Sequence, residues 1–373
     1  MNTADFLVVG GGIAGASAAY ELAAHGRVVL LEREPQCGYH TTGRSAALFT
    51  EAWETPTIRS IVAAGRSFFE EPPDGFTAVP LVAPRRILLI GRPDQRGAVE
   101  AAAADARTEI PSVRMIDGQE ALELCPALRP DYLDVAVLES GGYTIDVDAL
   151  LQGFLRGVRR RHGEVVTGAP VIGIERLDSG WNVTAGEQRF AARVLINAAG
   201  AWSDQIAGLA GVQPVGLTPL RRTAFTFSGP SNHDVRQWPA VIDIDEQFYF
   251  EPEGPQLLGS PADETPTHPH DVRAEEIDVA IAIERIQAAT TIEIRHVRRA
   301  WAGLRTFAPD RLPVVGPDPD VPDFIWLAGQ GGFGIMTSPA MARIAMSMAI
   351  GAGFPLGLPA HLEAAIRPER LRT

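Results

Sequence analysis

Two kinds of residue in this 373-residue chain could do chemistry. The first is an arginine in an apolar setting. In WAGLRTFAPDRLPVVG (301–316), Leu304 and Phe307 flank Arg305 in what reads as a buried strand. An unpaired guanidinium is expensive to bury, so Arg305 needs an anion, and the nearest acid in sequence is Asp310. A carboxylate distant in the chain or a bound anionic molecule would meet that need. The second is a glycine cluster. Gly10, Gly12 and Gly15 follow the apolar run DFLVV (5–9) as G-x-G-x-x-G, and Glu32 closes a second apolar run, VVLLE (28–32). The first glycine permits a tight turn, the second lets backbone approach a pyrophosphate, and the third lets the following helix pack closely. A helix N-terminus favours phosphate charge, and a carboxylate at the next strand end suits a ribose hydroxyl. That chemistry is dinucleotide binding.

Such residues must be positioned by strand–turn–helix units. Ile13, Ala14, Ala18 and Leu22 recur at helical spacing, which completes a β-α-β unit over the first thirty residues. RVLINAAGAWSDQIAGLAG (193–211) and FIWLAGQGGFGIMTSPAMARIAMSMA (324–349) repeat the order strand, small-residue turn, helix. TIDVDALLQGFLRGVRRRHG (144–163) reads as a helix begun at Asp146 or Asp148, with strands at 164–167, 170–176 and 181–185 after it. Between these pieces, RRILLI (85–90), LDVAVLE (133–139) and 219–260 read as a meander of strands, with short helices near 94–105 and 118–124. The fold class expected is α/β with an α+β substrate domain. A Rossmann-like dinucleotide-binding domain assembled from discontinuous segments would comprise 1–80, 143–218 and 300–373, and an antiparallel-sheet substrate domain 81–142 and 219–299.

Composition removes whole classes of function. Net charge is -13, so a sequence-independent grip on nucleic acid is not expected. All 33 basic residues are arginine, which excludes a Schiff-base, P-loop or general-base lysine. Cys37 and Cys125 are too far apart for a CxxC site, and no HExxH occurs, so no metal site is expected. FLVVGGGIAGASAAY lacks a basic n-region, and the apolar stretch near 340–357 is broken by Arg343, Gly and Pro. A cytoplasmic protein without an integral membrane segment is expected, a peripheral contact with the inner membrane being compatible.

The choice of dinucleotide turns on GYHTTGRSAALFT (38–50), a hydroxyl-rich turn that would bring further donors to an extended ligand. Here the chain resembles the D-amino-acid oxidase superfamily of FAD-dependent oxidoreductases, and within it the bacterial D-arginine dehydrogenase group. NAAGAWSDQIA (197–207), WAGLRTFAPDRLPVVG and AGQGGFGIMTSP (328–339) resemble its remaining motifs, in the expected order over essentially the whole chain. The resemblance implies FAD contacts from Gly10, Gly12, Ile13, Ala14 and Gly15, from Glu32 and Arg33, and from Thr42, Arg44, Ser45 and Ala46. It adds Val166, Gly200 and Trp202, then Gly303, Gly331, Gly332, Gly334 and Ile335. No cysteine follows Cys125, which rules out cysteinyl attachment in the C-terminal half; noncovalent FAD is expected.

The same resemblance makes Arg222 and Arg305 the anchors of a substrate carboxylate, with the Tyr249 hydroxyl as a third donor. Paired guanidiniums suit a carboxylate held bidentately. Backbone at Gly303 and Gly331 would accept from the amine, and no dedicated side-chain base stands out. Family members that prefer cationic substrates carry an acid where this chain has Ile87. Together with Leu48 and Trp53, that implies an apolar or aromatic side chain, although Glu51 or Glu54 could supply a carboxylate. The function implied is oxidative deamination of a free D-amino acid, with a quinone or similar acceptor because no lysine is present to activate oxygen. Three alternatives stand beside it: a glycine, sarcosine or D-proline type amine oxidase; a 2-hydroxy-acid dehydrogenase with His40 as base; and a non-catalytic flavoprotein subunit.

Overall fold

The computed structural model describes residues 2–52, 55–355 and 357–372. Apolar runs bounded by glycine form a parallel sheet buried on both faces. Strand β1 (Asn2–Val9) pairs in parallel with β2 (Val28–Leu31) and with Gln188–Asn197. Glu164–Val166 extends the sheet beyond β2, and Phe324–Ala328 pairs in parallel with the C-terminal half of Gln188–Asn197. Antiparallel strands Gly180–Ala185 and Val171–Leu177 continue from the other half of Gln188–Asn197. Helix α1 (Ile13–Leu22) packs against the helices Val147–Arg160 and Gly334–Ala349. Asp146 starts Val147–Arg160, its side chain accepting from the Ala149 amide at 2.8 Å.

A second sheet of ten strands holds the substrate-side residues. Its spine is the long antiparallel pair Thr218–Ser228 and Val297–Phe307, continued through Gln256–Ser260 and Tyr249–Glu253. The antiparallel expectation fails at one junction: Ala240–Asp243 runs parallel to Ile87–Gly91. A chain segment that returns to the sheet after a long excursion is free to enter in either direction. The boundary expected at 300 falls inside Val297–Phe307, which belongs wholly to this second sheet.

Three helices have no counterpart in the sequence reading, the short Ala360–Ile366 and two longer ones. Pro56–Glu70 carries a clear start signal, since Thr55 caps the Ile58 amide and proline stands in the first turn. Glu276–Ala289 is disguised by EIDVAIAIE, whose apolar residues alternate as in a strand. Its buried positions, Val279, Ala282, Ile286 and Ala289, follow helical spacing, whereas Ile277 is exposed.

Candidate active site

Parallel strands that end at Val9, Asn197 and Ala328 leave a crevice at their C-terminal ends, where such sheets bind ligands. A cleft of about 460 Å³ lies there and reaches the face of the second sheet. Gly10, Gly12, Ile13 and Ala14 line it from the opening of α1, and Glu32 and Arg33 from the end of β2. The glycines are required by the backbone itself. Gly10 sits at φ +110, and a Cβ there would stand 2.3 Å from the Ala198 carbonyl oxygen. A Cβ on Gly15 would fall 1.8 Å from the Gly10 carbonyl oxygen, so Gly15 seats α1 on its own turn and does not line the cleft.

Glu32 is buried, and its two oxygens accept the amides of Gly11 (2.7 Å) and Glu34 (2.8 Å). Burial raises its carboxyl above the ordinary range, opposed by those two amides. The carboxylate thus braces the glycine turn while its outer face borders the cleft. Thr42 caps α1, its hydroxyl accepting from the Ile13 amide at 3.0 Å. This cradle, with a helix N-terminus at its centre and a carboxylate at the adjacent strand end, fits the pyrophosphate and ribose of a dinucleotide.

The turn 38–47 is docked on the outer edge of Val297–Phe307. Thr41 donates to the Leu304 carbonyl (2.8 Å), and the Trp301 indole donates to the Arg44 carbonyl (2.9 Å). Arg44 lines the cleft, but its guanidinium reaches across to the carbonyls of Val272 (2.9 Å) and Ala302 (3.1 Å) and pairs with Asp271. Its side chain fastens the two sheets' segments together, a role invisible without knowledge of which strands are neighbours.

Ser45, Ala46, Gly200, Trp202, Gly303, Gly334 and Ile335 also line the cleft. Val166 does not; it lies in the sheet beside β2, where its carbonyl accepts the Glu32 amide at 2.8 Å. His40 lines the cleft at its Glu32 end, held by Glu34 at 3.0 Å and tilted against Trp202.

On the second sheet, alternation puts Arg222, Tyr249, Gly303 and Arg305 on the face that closes the cleft. Arg222 lies opposite Gly303, and Arg305 lies opposite Leu220. Gly331, at φ +53, presses on Phe307, where a Cβ would meet the ring at 2.1 Å. The Arg305 guanidinium lies against Gly332, where a Cβ would meet Nη1 at 2.8 Å. The double glycine therefore makes room for Phe307 and Arg305. A Cβ on Gly303 would meet only ordinary contacts, so the protein alone does not demand glycine there.

The two arginines differ in partners. Among the described residues no carboxylate forms an ion pair with Arg305. Arg222 is buried and donates to Glu264 at 3.2 Å. Burial, then the nearby charge of Arg305, pushes the Arg222 pKa down. Glu264 gave no signal in the sequence, because it stands beside Arg222 only through sheet pairing.

The expected side-chain pocket is altered. Leu48 lines the cleft with Met336 and Ile335. Ile87 does not: it is fully buried in its strand, paired with Ala240 and Glu139 and packed under Gly142. Trp53 and Glu54 lie outside the described residues. Glu51 points away to Arg66, with which it forms an ion pair at 2.6 Å.

A profile of the family described as FAD dependent oxidoreductase matches residues 5–348. An uncharacterized oxidoreductase, YurR, of Bacillus subtilis (strain 168) is 22% identical over 367 residues, covering 93% of this chain and 95% of that protein. Human mitochondrial dimethylglycine dehydrogenase is 24% identical over 365 residues, but this chain spans 42% of its length and matches with 92% of its own. Among solved structures, L-proline dehydrogenase from P. horikoshii superposes with a TM-score of 0.85 at 17% identity, covering 98% of this chain and 99% of that one. Glycine oxidase from Geobacillus kaustophilus gives 0.82 at 20% identity, covering 97% and 100%. At these identities the structural likeness speaks for the fold, whereas the profile spans nearly the whole chain: the protein belongs to the FAD dependent oxidoreductase family and is an FAD-dependent enzyme.

Proposed function

We propose that the protein oxidises the C–N bond of a free amino acid, with a D-amino acid as the finer reading. The observation that carries it is the placement of Arg222 and Arg305 on one cleft face, opposite the glycine cradle, with Arg305 free of any carboxylate partner among the described residues. The Gly10–Gly15 turn, Glu32, Thr42 and the Ser45–Ala46 backbone would hold FAD, noncovalently. When bound, FAD supplies the acceptor for a hydride leaving the substrate α-carbon.

The chain's own residues orient that carbon. Arg305 and the free donors of Arg222 bind the carboxylate, and the Tyr249 hydroxyl donates beside them. The substrate enters with a neutral amine, its proton passing to solvent or Tyr249. Loss of the hydride leaves a 2-imino acid, which water converts to 2-oxo acid and ammonia. Leu48, Met336 and Ile335 favour an apolar side chain.

Proline, glycine and dimethylglycine, named in the relatives, share an amine or substituted amine α to a carboxylate, and the clamp serves that shared part. An amine oxidase acting on glycine, sarcosine or D-proline is the second reading. A quinone-like acceptor and a cytoplasmic location complete the proposal; among the described residues no helix is long and apolar enough to cross a membrane.

Anaerobic mixing of the FAD-loaded enzyme with D- and L-amino acids, glycine, sarcosine and D-proline tests the proposal. Bleaching of the flavin by D-leucine, D-methionine or D-phenylalanine, and not by their L forms, is expected. A panel in which no α-amino acid bleaches the flavin overturns it, and preference for secondary amines selects the second reading.

A further inference from the structure

The dinucleotide end of the cleft carries a side-chain group that the substrate clamp does not use. Trp202, in the turn after Gln188–Asn197, lines the cleft together with Arg33 and His40. The Arg33 guanidinium lies 5.2 Å over the indole, and the His40 ring stands 4.7 Å from it at 45°. Both side chains reach one carboxylate oxygen: Glu34 Oε1 is 3.0 Å from His40 Nε2 and 3.3 Å from Arg33 Nε. An ionised carboxylate only accepts, so Nε2 of His40 carries a proton. The His40 and Glu34 side chains are 18% and 22% exposed, which shields their pairing more than that of an open surface pair.

Glu34 itself does not line the cleft, and its main chain is anchored independently of its side chain. The Glu34 amide donates to Glu32 Oε1 at 2.8 Å, and its carbonyl accepts the Gly168 amide at 2.8 Å. One residue thus joins the carboxylate that borders the ribose position to the Arg33–Trp202–His40 group. From Gly168 the chain runs into Val171–Leu177, which packs on the helix Ser203–Leu209 that follows Trp202. Ile172 and Leu209, on these two elements, line the cleft although they are 60% and 42% exposed. Large apolar side chains left open beside an aromatic wall suit the flat face of a ligand.

We propose that Glu34 is a positioning residue for the adenosine half of FAD, ordering Arg33 and His40 about Trp202 so that the three present one fixed face. Glu32, at the end of β2, marks this as the ribose end of the cleft. Side chains already held in place lose less freedom when a ligand binds, which is how an unliganded contact such as Glu34–His40 strengthens binding. The inference goes beyond the amino-acid reading and does not depend on the substrate. It assigns His40 to the cofactor, away from proton abstraction.

The test dilutes the FAD-loaded full chain and reads the fluorescence of released FAD, which gives its Kd. Glu34→Ala is expected to raise that Kd about tenfold, equivalent to about 1.4 kcal/mol. The visible absorbance band of the bound flavin should not move, because it reports the isoalloxazine at the other end of the cofactor. His40→Phe keeps a ring against Trp202 but removes the Nε2 donor, and should also weaken FAD. In the double variant the loss should fall short of the product of the two single losses, since both remove the same contact. A Kd unchanged within about twofold in Glu34→Ala, or losses that multiply in full, overturns the proposal. A loss of FAD accompanied by a shifted flavin band overturns it too, and makes Glu34 a structural brace of the whole cleft. None of these measurements needs turnover, so the amino-acid reading can fail in the substrate panel while the role of Glu34 is decided here.

Discussion

Arg222 and Arg305 stand on neighbouring antiparallel strands, one pleat step apart on the same face, because Arg222 pairs with Gly303 and Leu220 with Arg305. Residues diagonal in this way lie about 7–8 Å apart at the backbone, close enough for both guanidiniums to meet one carboxylate. Like charges that close repel, and the site answers differently at each: Glu264 partners Arg222, while Arg305 faces the cleft.

Replacing Arg305 by leucine is expected to raise KM for an amino acid by about 10–100-fold, the worth of a charge-assisted hydrogen bond of roughly 1.5–3 kcal/mol. Flavin content should stay near wild type, because the cradle residues lie on other elements. Loss of flavin absorbance together with activity would instead make Arg305 a structural support.

Gly15→Ala puts a methyl 1.8 Å from the Gly10 carbonyl oxygen, so the turn or the helix must move. Overpacking of backbone against backbone costs about 1–3 kcal/mol or more, and the flavin content of purified protein should fall sharply. Gly97→Ala is the control. It lies in the helix Arg96–Arg107 with nothing within 4 Å of the added methyl, and should raise Tm slightly. Full flavin content in Gly15→Ala would disprove the packing account of the third glycine.

Glu251 is buried two residues from Tyr249, with Oε2 lacking a hydrogen-bond partner among the described residues. Burial pushes its carboxyl up to about 7 from an ordinary 4.5, against the nearby Arg85 charge. Between those values the folded chain holds the proton that the unfolded chain has released. Stability therefore falls as pH rises through this window, by up to about 1.4 kcal/mol per pH unit. Glu139, raised to about 7 by burial against bonds from Thr50 and the Glu51 amide, adds in the same direction. Thermal melts at pH 5, 6.5 and 8 should show Tm falling more steeply in wild type than in Glu251→Gln. Parallel curves would mean that Glu251 ionises without penalty.

The dinucleotide cradle was legible in residues because its parts are local. A strand, three glycines at fixed offsets and a carboxylate at the next strand end occupy some thirty residues, and at Gly10 and Gly15 close backbone approach admits no other residue type. Arg305 also announced itself locally, as a charge between apolar neighbours. The helix Glu276–Ala289 did not, since its alternating isoleucines satisfy two periods at once and only burial chooses between them.

What the chain's order of residues determined by itself was the dinucleotide class of the cofactor, and it singled out Arg305 as a charge among apolar neighbours. Tertiary structure alone decided the partners. Sheet pairing brings Glu264 to Arg222 across 42 residues, the docking of the 38–47 turn brings Arg44 to Asp271 across 227, and Ile87 packs beneath Gly142, away from the cleft. The physical reason is that turns and helix starts are specified by neighbours a few positions away, whereas an ion pair across strands exists only once register is set. Register depends on how the whole buried face is satisfied, and no short stretch of sequence contains that information.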